Sequence, residues 1–311
     1  VRLVFLGTPE FAVPTLEAIV AAGHEVAAVL TQPDRPRGRG REMAPPPVKQ
    51  AALRLGLEVH QPEKIRRPEL VGFLAGLKPD AMVVVGYGKI IPQAIIDIPP
   101  HGIINVHASL LPKYRGAAPV QWAVANGETR TGVTTMRIDA GLDTGDILLQ
   151  EETEIGPEET AVEVGERLAR MGAALLVETL RGLEAGGIVP RKQDSSQASF
   201  APVLKKEDGR IDWSRPAAEI ANRIRGFVPW PGCYTGFRGR LMRVWKARPA
   251  GAISGAPGTA HPAGGRVMVS CGFESSLELI EVQLEGKKKM SASDFLNGYR
   301  VDENELLEMS A

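Results

Sequence analysis

Short, apolar, β-branched runs alternate with stretches of helical period through the first half of the chain. Residues 2–6, 25–31, 81–85 and 102–106 read as buried strands, and 10–22, 47–55, 68–75 and 118–126 as helices. Strand and helix repeated this way predict right-handed crossovers and an α/β fold, a Rossmann-like, doubly wound, mostly parallel sheet. Residues 132–138 and 146–155 read as a strand pair joined by a loop that carries Asp143. An amphipathic helix from 158 to about 183 follows, with Thr160, Val164, Leu168 and Met171 on one face. Past Gly186 the pattern stops, and 188–205 reads as a linker dividing domains at 1–187 and 206–311. Beyond it, a helix over 216–227 precedes short strands at 236–244, 258–260, 266–271 and 277–282. Their Gly and Pro punctuation predicts a smaller, OB-like β-barrel.

Length and composition narrow the class without naming it. The 311 residues are 43% hydrophobic and 24% charged, as in ordinary globular proteins, and no apolar run approaches the length of a membrane span. The first residues run as a strand into a turn, unlike a secretory signal, so a cytoplasmic protein is expected. Cys233 and Cys271 make no disulfide framework and lack zinc-ligand spacing, so they read as free, packed thiols. The net charge of zero hides an uneven distribution: 209–249 holds nine basic residues against two acidic, and 32–50 holds five against two. Acidic compensation falls at 151–159 and in the C-terminal tail.

The candidate chemistry lies where a strand empties into a loop. The run 102–106 is bounded by Pro99-Pro100 before it and by a polar stretch with Pro112 and Gly116 after it. Open parallel sheets bind ligands beyond the carboxyl ends of their strands. Asn105 and His107 are two apart, so extended geometry puts them on one face. A lone His at a strand end is an ordinary structural residue, but an amide beside an imidazole is equipment for stabilising an oxyanion and handling a proton. Asp143 would supply a carboxylate to the pair. Ser109 completes a Ser, His, Asp inventory, but no nucleophile elbow surrounds it. The turn Gly7-Thr8-Pro9-Glu10 lacks a dinucleotide fingerprint, so no NAD is expected.

These segments resemble the formyltransferases that use 10-formyltetrahydrofolate. The shared core lies in Asn105-Val106-His107-Ala108-Ser109-Leu110-Leu111-Pro112, Arg115-Gly116-Ala117-Ala118-Pro119 and Leu142-Asp143-Thr144-Gly145-Asp146. The resemblance implies that Asn105 donates to an oxyanion, that His107 hydrogen-bonds it and manages a proton, and that Asp143 orients His107 and relays the proton. No metal is required by that mechanism. Ser109, Leu110, Leu111 and Pro112 match the folate-contacting segment, and Gly86, Tyr87, Gly88 and Asp139 are expected to wall the pterin pocket.

Features outside the core resemble the branch whose acceptor is the α-amine of methionine on initiator tRNA. They are Thr31-Gln32-Pro33-Asp34-Arg35-Pro36 leading into Gly38-Arg39-Gly40, then Ile211-Asp212-Trp213, Pro229-Trp230-Pro231-Gly232 and Gly286-Lys287-Lys288-Lys289-Met290. On this reading Arg35, Arg37, Arg39 and Arg41 order on the acceptor stem, and Arg238, Arg240, Arg243 and Lys246 lie along a phosphate track. Trp230 is expected to be a packing anchor under the domain interface, and nothing demands more than a monomer. The nearest rival acceptors are an amino-sugar nucleotide and glycinamide ribonucleotide; a non-catalytic RNA binder and a formyl-folate hydrolase are the others.

Overall fold

The structure, a computed structural model, describes residues 1–37 and 42–308. It divides into two compact units, one of Val1–Pro119, Arg130–Glu154 and Gly165–Ala201, the other of Val120–Thr129, Ile155–Val164 and Pro202–Ala311. In chain order the first half contains β1 (Arg2–Gly7), α1 (Val13–Ala21), β2 (Glu25–Leu30), β3 (Arg35–Arg37), β4 (Glu42–Ala44), α2 (Pro47–Arg54), β5 (Val59–His60), α3 (Pro68–Gly76), β6 (Ala81–Val85), α4 (Gln93–Ile96), β7 (Ile103–His107), β8 (Arg115–Gly116) and α5 (Pro119–Ala125). After them come β9 (Arg130–Arg137), β10 (Ile147–Glu154), α6 (Ala161–Glu184) and β11 (Phe200–Ala201). Prolines in the first turns of α1, α2 and α3 start those helices where a missing N–H costs nothing.

The main sheet of the first unit runs β10-β9-β7-β6-β1-β2-β5. The five strands from β7 to β5 are parallel, whereas β9 and β10 are antiparallel to their neighbours. The sheet is Rossmann-like with an antiparallel edge, a common addition to a parallel sheet. Both faces are covered, which is why the central strands are apolar throughout. Leu3, Phe5, Val83, Val85, Ile104 and Val106 pack with Leu16 of α1 and Leu176 and Leu180 of α6. On the opposite face Val4, Leu6, Met82, Val84 and Ile103 pack with Leu74 and Ile95. A Cβ at Gly172 of α6 would stand 2.6 Å from Val106 Cγ1, so a glycine allows the helix to lie close over β7.

The stretch 188–205 is tied down for most of its length. Arg191 exchanges both backbone hydrogen bonds with Ile147 at 2.8 Å, and β11 pairs in parallel with β8. The chain therefore remains on the first unit through Ala201.

The second unit holds α7 (Ala217–Gly226), β12 (Cys233–Phe237), β13 (Arg240–Ala250), β14 (Thr259–Ala263), β15 (Arg266–Ser270), β16 (Ser276–Leu284), β17 (Met290–Ser291), α8 (Ala292–Gly298) and β18 (Glu305–Leu306). Its antiparallel sheet runs β12-β13-β16-β15-β14-β18, with β17 also on β16. The sheet curls into a half-barrel. Its two edge strands are linked by side chains: Thr235 Oγ1 donates to the Leu307 carbonyl at 2.9 Å, and Arg238 pairs with Glu305 at 2.6 Å. The single strand expected over 236–244 is instead a hairpin, because Arg238 and Gly239 turn the chain with φ of 49° and 73°. Residues of α5 join this unit through close packing on α7. A Cβ at Gly226 would stand 2.6 Å from the Ala125 nitrogen, and Trp122 meets Phe227 edge-on at 5.3 Å. Trp230, expected to be a packing anchor, is 54% exposed.

Candidate active site

The switch point of the main sheet lies between β1 and β6, where successive connections run in opposite directions. At the carboxyl ends of these strands Gly86 and Gly88 have φ of 57° and 79°, and a Cβ at Gly88 would meet nothing within 4 Å. Open backbone of this kind accommodates a flat heterocycle. Tyr87 between them turns its ring into the core and is 1% exposed, with its hydroxyl pushed up to about 12 by burial. Its carbonyl takes hydrogen bonds from Thr8 Oγ1 at 3.2 Å and Gln32 Nε2 at 3.0 Å. The Tyr87 ring therefore packs with the core beneath the strand end.

Asn105 and His107 share the face of β7 that Ile103 buries further back, while Ile104 and Val106 face α6. Where the strand ends, that face passes from core to site. Asp143 arrives from the β9–β10 loop with a left-handed φ of 51°. Its Oδ2 accepts from the Gly116 amide at 2.8 Å, and its Oδ1 lies 3.5 Å from Asn105 Nδ2. His107 Nδ1 stands 3.8 Å from Asp143 Oδ2, too far for a hydrogen bond.

The ring of His107 is oriented by another group. Its Nε2 lies 2.9 Å from the Tyr114 carbonyl, which can only accept, so Nε2 carries the hydrogen. In the neutral ring Nδ1 therefore presents its lone pair on the side of Asp143. Tyr114 is held with φ of 61°, its amide donating to Ser199 Oγ at 2.9 Å.

Other expected residues take varied places. Ser109 Oγ donates to the Lys113 carbonyl at 2.6 Å, closing its own loop, and Leu111 packs with Met136 and Ile147. Leu110 lies over Gly132, where a Cβ would come within 2.6 Å of its side chain. Leu110 and Pro112 are half-buried. Asp139 builds the Asp143 loop by accepting from the Gly141 amide at 3.0 Å and the Thr144 hydroxyl at 2.7 Å.

The arginine-rich insertion has a defined root. Lys49 Nζ sits 2.8 Å from Asp34 Oδ2, and Gln61 Nε2 bridges Asp34 Oδ1 at 2.6 Å and the Gln32 carbonyl at 2.9 Å. The Lys49 and Gln61 donors hold the Asp34 carboxyl below its ordinary range. β3 and β4 form a hairpin from which Arg35 is exposed. Arg39 and Arg41 lie outside the described residues, as does the side chain of Arg37.

In the second unit Arg238 is engaged by Glu305 and Asp302, Arg240 donates to the Glu285 carbonyl at 2.6 Å, and Lys246 lies 3.7 Å from Glu158. Arg243 is 5.8 Å from the Trp245 ring, with Lys289 Nζ 4.2 Å from the same ring. Trp245, the Tyr114 carbonyl, the Gly116 amide and Gln193 were not singled out by sequence reasoning. Alternation along 241–245 could have found Trp245; backbone atoms leave no sequence signal.

Residues 1–180 match the family described as Formyl transferase, and residues 203–300 that described as Formyl transferase, C-terminal domain. The chain is 67% identical over 307 residues to the methionyl-tRNA formyltransferase of Solibacter usitatus, covering 98% of each. It is 59% identical over 299 residues to the methionyl-tRNA formyltransferase of Koribacter versatilis, covering 96% of each. A solved structure of the N-formyltransferase from Helicobacter canadensis, in complex with folinic acid and dTDP-3-aminofucose, is similar with a TM-score of 0.66 at 19% identity. That likeness covers 90% of this chain and 98% of the other, and it concerns the fold alone.

Proposed function

The chain belongs to the formyl transferase family, and we propose that it transfers the formyl group of 10-formyltetrahydrofolate to the α-amine of methionine carried by initiator tRNA. The observation that carries the chemistry is the convergence of Asn105, His107 and Asp143 at the end of β7. The acceptor rests on full-length similarity to enzymes named for methionyl-tRNA.

The folate supplies an electrophilic formyl carbon. Asn105 Nδ2, whose approach to Asp143 is long at 3.5 Å, is free to donate to the formyl oxygen as charge develops there. His107 takes the amine proton on Nδ1, because Nε2 is committed to the Tyr114 carbonyl. Asp143 lies close enough to stabilise the resulting imidazolium, and as the tetrahedral adduct of amine and formyl carbon collapses the C–N10 bond breaks, N10 takes up the proton and tetrahydrofolate leaves. The open backbone at Gly88, beside Gly86 packed on Pro9, receives the pterin, with Ser109, Leu110, Leu111 and Pro112 shaping the neighbouring loop.

We place the transfer chemistry in the first unit, which runs past the expected boundary at 187 to Ala201, and tRNA contacts in 206–311, assisted by the insertion. Arg35 with Arg37, Arg39 and Arg41 would meet the acceptor stem, and Arg243, Lys246 and Lys289 its phosphates. Arg238 contributes least, since Glu305 and Asp302 already take its charge. No helix among the described residues is long and apolar enough to cross a membrane. We infer a monomer that works in the cytoplasm; sedimentation tests the first and cell fractionation the second.

The test is formyl transfer from 10-formyltetrahydrofolate to charged initiator tRNA, with Asp143→Ala beside it and a reaction without tRNA to report hydrolysis. Transfer that collapses in the variant is expected. Folate binding with no transfer to tRNA would overturn the acceptor assignment and direct attention to amino-sugar nucleotides.

A further inference from the structure

Asp143 holds a left-handed backbone conformation, one an L-residue rarely keeps without support from its surroundings. Gln193, from the stretch whose sequence reads as a linker, supplies that support. Its Nε2 donates to the Asp143 carbonyl at 2.8 Å and to the Gly145 carbonyl at 2.7 Å, gripping both sides of the turn. Its Oε1 accepts from Arg115 Nε at 3.1 Å and Nη2 at 2.8 Å. The amide orientation follows from these partners. Reversed, it would set an oxygen against two carbonyls and an NH2 against a guanidinium. Arg115 is 4% exposed, so the grip is anchored on a buried cation. The adjoining Gly116 amide holds the Asp143 carboxylate at 2.8 Å. Arg115 and Gly116 thus secure Asp143 twice, once directly and once through Gln193.

We propose that Gln193 is a positioning residue for formyl transfer, holding the Asp143 turn so that the carboxylate stays in place beside His107 and Asn105. The proposal rests on the reading of Asp143 as part of the transfer centre. Arg115 in turn positions Gln193. The stretch after Gly187 is therefore part of the transfer machinery up to at least Gln193.

The test is a double-mutant cycle on the full chain with Gln193→Met, Asp143→Ala and the pair, measuring kcat and both KM values at high enzyme concentration. Gln193→Met, which keeps the length and removes the amide, is expected to lower kcat about 10- to 100-fold, a loss typical of a displaced reacting group. Both KM values should stay within about threefold, because binding surfaces remain. In the Asp143→Ala background the same substitution should cost almost nothing, since the two act as one unit. A wild-type kcat in Gln193→Met, or an equal loss in both backgrounds, would overturn the positioning role. Full activity in Asp143→Ala would instead overturn the underlying reading of the site. If Gln193→Met does not fold, Gln193→Asn carries the same cycle with its amide one methylene short.

Discussion

Gly145 closes the turn that carries Asp143, and a Cβ there would stand 1.8 Å from the Arg137 carbonyl oxygen and 2.9 Å from its carbon. Arg137 cannot give way easily. It ends β9, its own amide donates to the Asp146 carbonyl at 2.9 Å, and β9 is paired on both sides. Gly145→Ala must therefore move the turn, by about 1.6 Å to reach ordinary contact in a close-packed structure. Asp143 lies two residues away, and Gln193 binds both carbonyls of the turn, so the carboxylate moves with it. A misplacement of about 1 Å at a reacting group already costs about 10²-fold in rate, or roughly 2.7 kcal/mol of barrier, so the loss should be at least that large. Steady-state formyl transfer should show that loss in kcat, with a thermal midpoint well above the assay temperature. Gly72→Ala is the matched control. Gly72 lies within α3 with nothing within 4 Å of an added Cβ, so the change should stabilise by about 0.5–1 kcal/mol and leave kcat untouched. A Gly145→Ala enzyme with kcat within threefold of wild type would refute the link between the turn and the reaction.

Two further outcomes are expected. Asn105→Ala should lower kcat about 10²-fold or more with a smaller effect on the folate KM, as for loss of one oxyanion donor; an unchanged kcat removes Asn105 from the mechanism. Acid should destabilise the fold through Asp34, Asp194, Asp212 and Glu163. Their carboxyls are held below the ordinary range by, in turn, the Lys49 ammonium, the Ser196 and Ser214 hydroxyls, and the Thr160 amide. Stability from a depressed carboxyl is present above its unfolded pKa and lost as pH falls through the folded one, so the thermal midpoint should drop below about pH 4. A midpoint that does not change between pH 5 and pH 3 would contradict this.

The parts of the site that sequence made legible are those fixed by local period. Alternation along β7 places Asn105 and His107 on one face, because a strand's side chains repeat every second residue whatever surrounds it. The strand at 81–85 is readable from a different signal: burial on both faces leaves it apolar throughout. Asp143 can be placed in a loop and grouped with the other two as a carboxylate beside an imidazole, but its role toward His107 comes from resemblance. The orienting groups were out of reach. The Tyr114 carbonyl and Gly116 amide are backbone atoms common to every residue, and Gln193 meets Asp143 across a separation of 50 residues. Expectation and geometry also differ on what orients His107. Resemblance gave that task to Asp143, yet at 3.8 Å it makes no hydrogen bond, and the Tyr114 carbonyl at 2.9 Å holds the ring. The consequence is chemical. A ring held by its Nε2 hydrogen turns the Nδ1 lone pair toward Asp143, so on the proposed mechanism the carboxylate would respond to the proton once it arrives, and the backbone of the following loop would decide which nitrogen receives it.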